Sequence, residues 1–457
     1  MLATDPTLDR PIAKKSDLLG IFREAEKPRS EFRIGAEAEK VGVFADGKPV
    51  HYAGEPGVLT LLTELAARHG WAPEPETAGG PIIALTRNGA SVTLEPGAQL
   101  ELSGAPLHDL HAVANELDEH LREVQGITDP LGIVWLGLGF HPFAPRDDLS
   151  FVPKARYGLM REYLPTRGGH ALDMMLRTCT VQANFDYDGE ADALKKLRVG
   201  LKLSPITTAM FANSPWVEGA ATGGVSYRGR VWLDVDPDRS GLLPMMWSAK
   251  ASYEDYVDWA LDVPMFLVKR GDEFLANTGQ TFRSFWHDGF EGHRATLADW
   301  QLHLNTLFPE VRLKRTLEIR GADMQSAENC PALAAIWTGI YYDDAALDAA
   351  DRLTHDFGHA ELSALRASLH KEGLRAVFRG KPLREMAMEV VEIALGGLAR
   401  RRVLDADGRD ESRYLDVIKR LVGEGKTPAD ALLDGMKGEK DFVAAVIRRS
   451  RLAPRPA

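Results

Sequence analysis

Two cysteines, Cys179 and Cys330, are all that 457 residues contain. That is too few for a secreted disulfide scaffold, and their separation does not fit a thiolate metal knuckle, so a reducing, cytoplasmic setting is the expectation. Long basic runs and basic-aromatic repeats are also missing. With 55 Lys and Arg against 66 Asp and Glu, the net charge is -11, which argues against nucleic acid as a partner. No stretch approaches the roughly 20 apolar residues that cross a bilayer, so no membrane partner is expected. Residues 1–16 lack the apolar core of a signal peptide. Internal repeats and low-complexity tracts are absent too, which excludes solenoid and linker architectures.

What remains is a chain rich enough in apolar residues, at 44%, to bury a sizeable core. Strand-like text at 32–44, 90–102, 133–140, 176–187, 230–234, 263–269 and 311–319 alternates with helical patterns at 57–69, 107–124 and 191–212. The elements interleave without repeating as βαβ units, so an α+β fold with a largely antiparallel sheet is predicted. After Pro331 the text becomes Ala-, Leu- and charge-rich over 333–369, 383–401 and 413–422. We therefore expect a catalytic α+β part over 15–330 and a helical C-terminal part over 331–457.

The chemistry-bearing residues lie on the strands. Glu37 and Glu39 are two apart and share one face, while Ile34, Ala36 and Ala38 take the other. Alone, such a pair reads as a solvated face. Glu95 precedes the turn at Pro96-Gly97, and Gln99 and Glu101 share the face of the next strand. Gln182 and Asn184 form the polar side of 178–185, with Cys179 on its apolar side, where it reads as a small buried hydrophobe. Glu318 and Arg320 share a face opposite Leu317 and Ile319. Carboxylates facing one space repel unless basic groups or a hard divalent cation offset them, and carboxylate oxygens are the ligands such a cation prefers.

Other patterns carry nothing. Gly425-Lys426-Thr427 resembles the end of a phosphate loop, but Arg420 stands where its first glycine belongs. The pairs His355/His359 and His108/His111 lack the acidic partner of a helical zinc site.

Taken together, these segments resemble the plant-type glutamate-cysteine ligases. The carriers are 32–40 (Phe-Arg-Ile-Gly-Ala-Glu-Ala-Glu-Lys), 94–104, 160–165, 172–182, 211–215, 262–265, 308–315 and 317–323. The resemblance implies a glutamine-synthetase-like carboxylate-amine ligase fold, with a curved antiparallel sheet forming a funnel. It implies ligation of L-glutamate to L-cysteine with ATP and Mg2+, giving γ-glutamylcysteine, by a monomer or homodimer. By the same resemblance Glu37, Glu39, Glu95, Glu101 and Glu318 become metal-ligand candidates. Arg156 and Arg228, with Gln182 and Asn184, become substrate-binding candidates. Arg320 and Glu318 are expected to be catalytic, and Arg320 and Arg315 to hold the nucleotide. Asn277 stands where plant relatives have a regulatory cysteine, and 287–294 lacks the partner thiol, so that redox bridge is not expected. The alternatives are a related ligase with another amine acceptor and, more remotely, a paired-carboxylate glycosidase or a non-catalytic binding module.

Overall fold

The alternation that begins at Ile34 forms β1 (Ile34–Val43), the hub of one large sheet in the computed structural model, which describes residues 6–77, 79–271 and 273–455. Around it lie β2 (Ala72–Pro75), β3 (Ile82–Arg87), β4 (Ala90–Leu94), β5 (Leu100–Ser103), β6 (Val134–Leu136), β7 (Thr180–Phe185), β8 (Val311–Leu313) and β9 (Leu317–Asp323). The nine strands run β8-β9-β7-β1-β5-β4-β3-β2, with β6 on the far end of β1, and every pairing is antiparallel. The predicted α+β class holds.

One face of this sheet is apolar and covered by helices. Ile34, Ala38, Val181, Ala183, Leu317 and Ile319 are buried on it, and Cys179 and Cys330 are free, buried thiols. The helix Cys330–Tyr341 packs on β1 and β7, Glu190–Met210 on β9, and Leu110–Thr128 on β1. Lys40 points the same way and is fully buried, its Nζ reaching the carbonyls of Ala38 and Leu100 at 3.4 Å each. The polar face is left to chemistry.

Several boundaries differ from expectation for local reasons. Residues 230–234 are not a strand: the Ser226 hydroxyl accepts from the Gly229 amide and caps a short helix, Tyr227–Val231. Residues 311–319 form a hairpin, turned where the Lys314 amide donates to the Thr316 carbonyl. The segment expected at 176–187 begins with the end of a helix, Ala171–Arg177, and that at 263–269 starts as a strand only at Leu267. Gly425, in the discarded phosphate-loop match, has φ +68 and ends the helix Asp416–Glu424, a task suited to glycine.

Strand β9 breaks its alternation once. Glu318 faces Asn184 and Ile319 faces Ala183, but Ala322 faces Val181 and Asp323 faces Thr180, so one extra residue is accommodated at Arg320-Gly321. Gly321 suits this bulge because a Cβ there would lie 2.6 Å from Glu310 Oε2 and 2.7 Å from Thr208 Oγ1. Asp323 thereby returns to the face that carries Glu318.

Buried histidines make the fold sensitive to acid. His141 Nδ1 accepts from the Ala144 amide at 3.0 Å, and His303 Nε2 lies 2.8 Å from the Ala260 carbonyl. Burial lowers both to about 3. The folded chain therefore binds fewer protons than the unfolded one below the ordinary histidine value. This stability is fully present above about pH 6.5 and is lost as pH falls toward 3. Because buried carboxyls titrate in the opposite sense over the same range, the test is the difference between proteins: the change in urea-unfolding free energy from pH 7.5 to pH 5 is expected to be ~2 kcal/mol more favourable in His303→Gln than in wild type. The same pH dependence in both proteins would contradict it.

Candidate active site

The polar face of the sheet forms the floor of a cavity of about 300 Å3. Glu37 and Glu39 come from β1, Glu101 from β5, Thr180 and Gln182 from β7, and Arg320 from β9, all by strand alternation. Glu39 stands directly opposite Glu101 in the sheet, a like-charge pairing that destabilises a sheet unless something offsets it. Glu95 and Glu101 sit at the boundary with a larger chamber of about 730 Å3 over β3 and β4.

Each acid is oriented by a neighbour. The Asn184 amide donates to Glu37 Oε1 at 2.8 Å, and the Thr180 backbone amide donates to Glu39 Oε2 at 2.8 Å. Glu101 accepts from the Thr93 hydroxyl and from Ser103 Oγ at 3.0 Å. None of the three acids takes an ion-pair partner among the described residues. Burial, followed by the charges of Glu318 and Glu101, pushes Glu37 up to about 8. Glu37 keeps some accessible surface, but that surface opens into the cavity. Glu39 is pushed well above the carboxylate range by burial and then by Glu95 and Glu101.

Glu318 lies in the opposite environment. Arg312 grips it with two nitrogens, Nη2 at 2.8 Å and Nε at 3.0 Å, Lys314 Nζ lies at 3.1 Å, and Arg320 completes the enclosure. Burial alone would raise its pKa, but these three cations hold the carboxyl well below its usual value. Arg320 also donates to Gln182 Oε1 at 2.8 Å. Unneutralised acids on β1 and β5 thus share one sheet face with a cluster of cations on the β8–β9 hairpin.

The structure revises the set of site residues expected from sequence. Arg315 does not line the cavity: it lies in the β8–β9 turn, its side chain 56% exposed and 3.7 Å from Glu24, while Lys314 beside it points in. Asn184 supports Glu37 from behind the lining. Glu318 is enclosed by cations and is not itself part of the cavity surface, which sets it apart from the other four glutamates. Arg156 lines both chambers, with Nη2 3.3 Å from Tyr157 Oη. Arg228 is buried on the far wall and donates to the Arg320 carbonyl at 2.9 Å.

Three groups escaped the sequence reading. Arg312 and Lys314 share the parity of Glu318 and Arg320, which was the available signal. Asp323, 1% exposed, accepts from Ser214 Oγ, Ser226 Oγ and the Asn213 amide at 2.6, 3.0 and 2.7 Å. The cavity is closed by an apolar wall of Met160, Met174, Met175, Phe266 and Phe308, drawn from two helices, a loop and the short strand Phe308–Pro309, with no shared sequence pattern.

The donor chemistry suits a hard divalent cation. Glu37, Glu39, Glu95 and Glu101 offer carboxylate oxygens in a buried setting where their mutual repulsion is unmet. The five expected ligands do not form one closed shell, however. Among the described residues no three His, Cys, Asp or Glu side chains converge as a metal site; Glu37, Glu39, Glu101 and Glu318 are each turned onto the amide, hydroxyl or guanidinium partner named above. No helix among the described residues is long and apolar enough to cross a membrane.

Comparison with known proteins identifies the family. The chain is 41% identical over 445 residues to the chloroplastic glutamate-cysteine ligase of Arabidopsis thaliana, covering 96% of this chain and 83% of that protein. It is 42% identical over the same length to that of Medicago truncatula, covering 96% and 85%. Its fold is similar to the glutamate-cysteine ligase of Francisella tularensis in complex with AMP, with a TM-score of 0.57 at 12% identity over 92% of this chain and 87% of that one. A bifunctional glutathione synthetase from Pasteurella multocida aligns with a TM-score of 0.50 at 15% identity, over 94% of this chain and 52% of that one. The model of glutamate-cysteine ligase family 2 matches residues 33–445, and the chain belongs to that family.

Proposed function

We propose that this cavity joins the γ-carboxylate of L-glutamate to the amine of L-cysteine at the expense of ATP, giving γ-glutamylcysteine, ADP and phosphate. The observation that carries the reading is the division of one sheet face into unneutralised buried acids and a cluster of cations, with an apolar wall closing the cavity. A carboxylate is a poor acyl donor, so it must first take the γ-phosphoryl group of ATP. Its oxygen attacks phosphorus, ADP leaves, and the resulting acyl phosphate is open to the amine of cysteine. That amine then displaces phosphate and loses a proton.

Arg320, held by Gln182 and Glu318, presents its guanidinium to the transferring phosphoryl group, with Arg312 and Lys314 behind it. Arg156 and Arg228 are suited to the glutamate carboxylates, since each brings a guanidinium to the cavity wall. Glu37, Glu39, Glu95 and Glu101 would hold magnesium, which when bound offsets the repulsion between triphosphate and carboxylate. As ligands these acids would be drawn to the ionised form by the bound cation, against the upward push that burial gives Glu37 and Glu39, and proton transfer is not asked of them. The apolar wall takes the side chain of the acceptor. The two free, buried thiols favour a reducing cytoplasmic setting.

Phosphate release from ATP and glutamate, surveyed across cysteine, 2-aminobutyrate, serine and glycine, tests the reading. Turnover requiring ATP, magnesium and glutamate, and fastest with cysteine, is expected. Turnover fastest with another amine would reassign the acceptor, and none with any amine would remove the ligase reading.

A further inference from the structure

Beyond the ends of β6 and β9 lies a second cavity, of about 480 Å3. The start of the helix Cys330–Tyr341 and the helices Asp416–Glu424, Pro428–Gly435 and Phe442–Ser450 enclose it. No acid lines it, and its charged lining is Arg420, Arg448 and Arg449. Glu439 meets Arg448 at 2.6 Å and Arg449 at 3.1 Å, so one carboxylate serves two guanidiniums. Arg420 has no ion-pair partner among the described residues.

The floor is made of buried amides. Asn213, Gln325 and Asn329 are 3%, 0% and 2% exposed. Their side-chain nitrogens are committed: Asn213 Nδ2 donates to the Gly137 and Met324 carbonyls, Gln325 Nε2 to those of Phe211 and Asp323, and Asn329 Nδ2 to Gln325 Oε1. The side-chain oxygens of Asn213 and Asn329 have no hydrogen-bond partner among the described residues. A buried acceptor left unmet costs ~1–3 kcal/mol, so such a pair marks a place where a donor belongs. The helix Cys330–Tyr341 starts here without a side-chain cap, adding partial positive charge. Cations at the rim and unused acceptors in the floor describe a ligand that is anionic at one end and carries N–H or O–H donors at the other.

We propose that this cavity binds a small organic carboxylate bearing an amine or hydroxyl donor, and that its occupancy is felt at the catalytic cavity through Asp323. The Asn213 backbone amide donates to Asp323 Oδ2 at 2.7 Å, and Gln325 Nε2 donates to the Asp323 backbone carbonyl at 2.9 Å. Asp323 Oδ1 lies 3.9 Å from Arg228 Nη1, and Arg228 in turn holds the Arg320 carbonyl. The floor of one cavity is thus hydrogen-bonded to Asp323, whose carboxylate forms a long ion pair with Arg228 on the wall of the other. Any effect of the ligand on glutamate binding must be matched by an equal effect of glutamate on the ligand.

The test is calorimetric titration of the whole protein with citrate, a hydroxy tricarboxylate, in magnesium-free buffer. Binding is expected, weakened at least tenfold in Arg420→Ala and Arg449→Ala, whose side chains lie at the surface. Citrate held in the catalytic cavity would be indifferent to Arg420. Equal affinity in wild type and both variants overturns the proposal, as does the absence of any citrate binding. A second titration, of glutamate with and without saturating citrate, is expected to shift glutamate affinity at least twofold in wild type and not in Arg420→Ala. No shift in wild type overturns the coupling. The citrate arm does not depend on the ligase reading, which would fail instead if glutamate showed no binding at all.

Discussion

Glu37→Gln is expected to cut turnover by about three orders of magnitude while raising thermal stability at alkaline pH. The first effect follows from the loss of an oxygen donor in the acid cluster, a site where charge must be held for the phosphoryl step. The second follows from the raised pKa. With Glu37 lifted to about 8, the folded chain binds more protons than the unfolded one. That part of the stability is complete below the unfolded carboxyl value and is lost as pH rises through 8. Glutamine carries no such charge, so the variant escapes the loss, and a melting-temperature gain of about 2 °C or more at pH 8.5 is expected. At pH 5 the gain should vanish. Near-native turnover would remove Glu37 from the working site, and a lower melting temperature at pH 8.5 would show that its charge is already met.

Arg320→Lys is the second large effect, with an expected loss in turnover of at least about a hundredfold and little change in the glutamate concentration for half-maximal rate. The guanidinium now touches Gln182 and Glu318 at once, and its planar fork leaves further N–H groups free for phosphoryl oxygens. An ammonium on a shorter reach satisfies Glu318 or the phosphoryl group, but not both with the same geometry. Steady-state phosphate release, compared with melting temperature, separates this loss from unfolding. An unchanged rate would move the role to Arg312 or Lys314, which flank the same carboxylate.

Alternation made the acid wall legible, because a strand's period of two assigns each side chain to a face without knowledge of the fold. It placed Glu37 with Glu39 and Gln99 with Glu101 on shared faces, while their reading as a working site came from the other polar strands and the family resemblance. The same rule marked Arg312 and Lys314 with Glu318 and Arg320, yet their environment was not legible, since enclosure of Glu318 depends on how tightly the β8–β9 hairpin turns. Arg315 was expected in the site by resemblance alone; its parity is that of Leu313, Leu317 and Ile319, and the hairpin turn carries it to solvent. The apolar wall was hidden for another reason. Met160, Met174 and Phe308 are far apart in sequence and meet only because helices and loops fold over the sheet, a tertiary arrangement with no local period. Residues 230–234 had strand-like composition, but one serine cap outweighed it.

The bulge at Arg320-Gly321 has an implication for how this strand tolerates change in length. Glu318, Arg320 and Asp323 occupy one face at separations of two and three, a pattern no regular strand can offer. Deleting Gly321 would remove the extra residue and let Asp323 follow Glu318 and Arg320 by plain alternation, still opposite Thr180, so the acceptor shared by Ser214, Ser226 and the Asn213 backbone amide would be kept. An inserted residue would instead have to be absorbed as a second extra position or turn Asp323 toward the aliphatic side. A single deletion between Ile319 and Ala322 should therefore be better tolerated than a single insertion there.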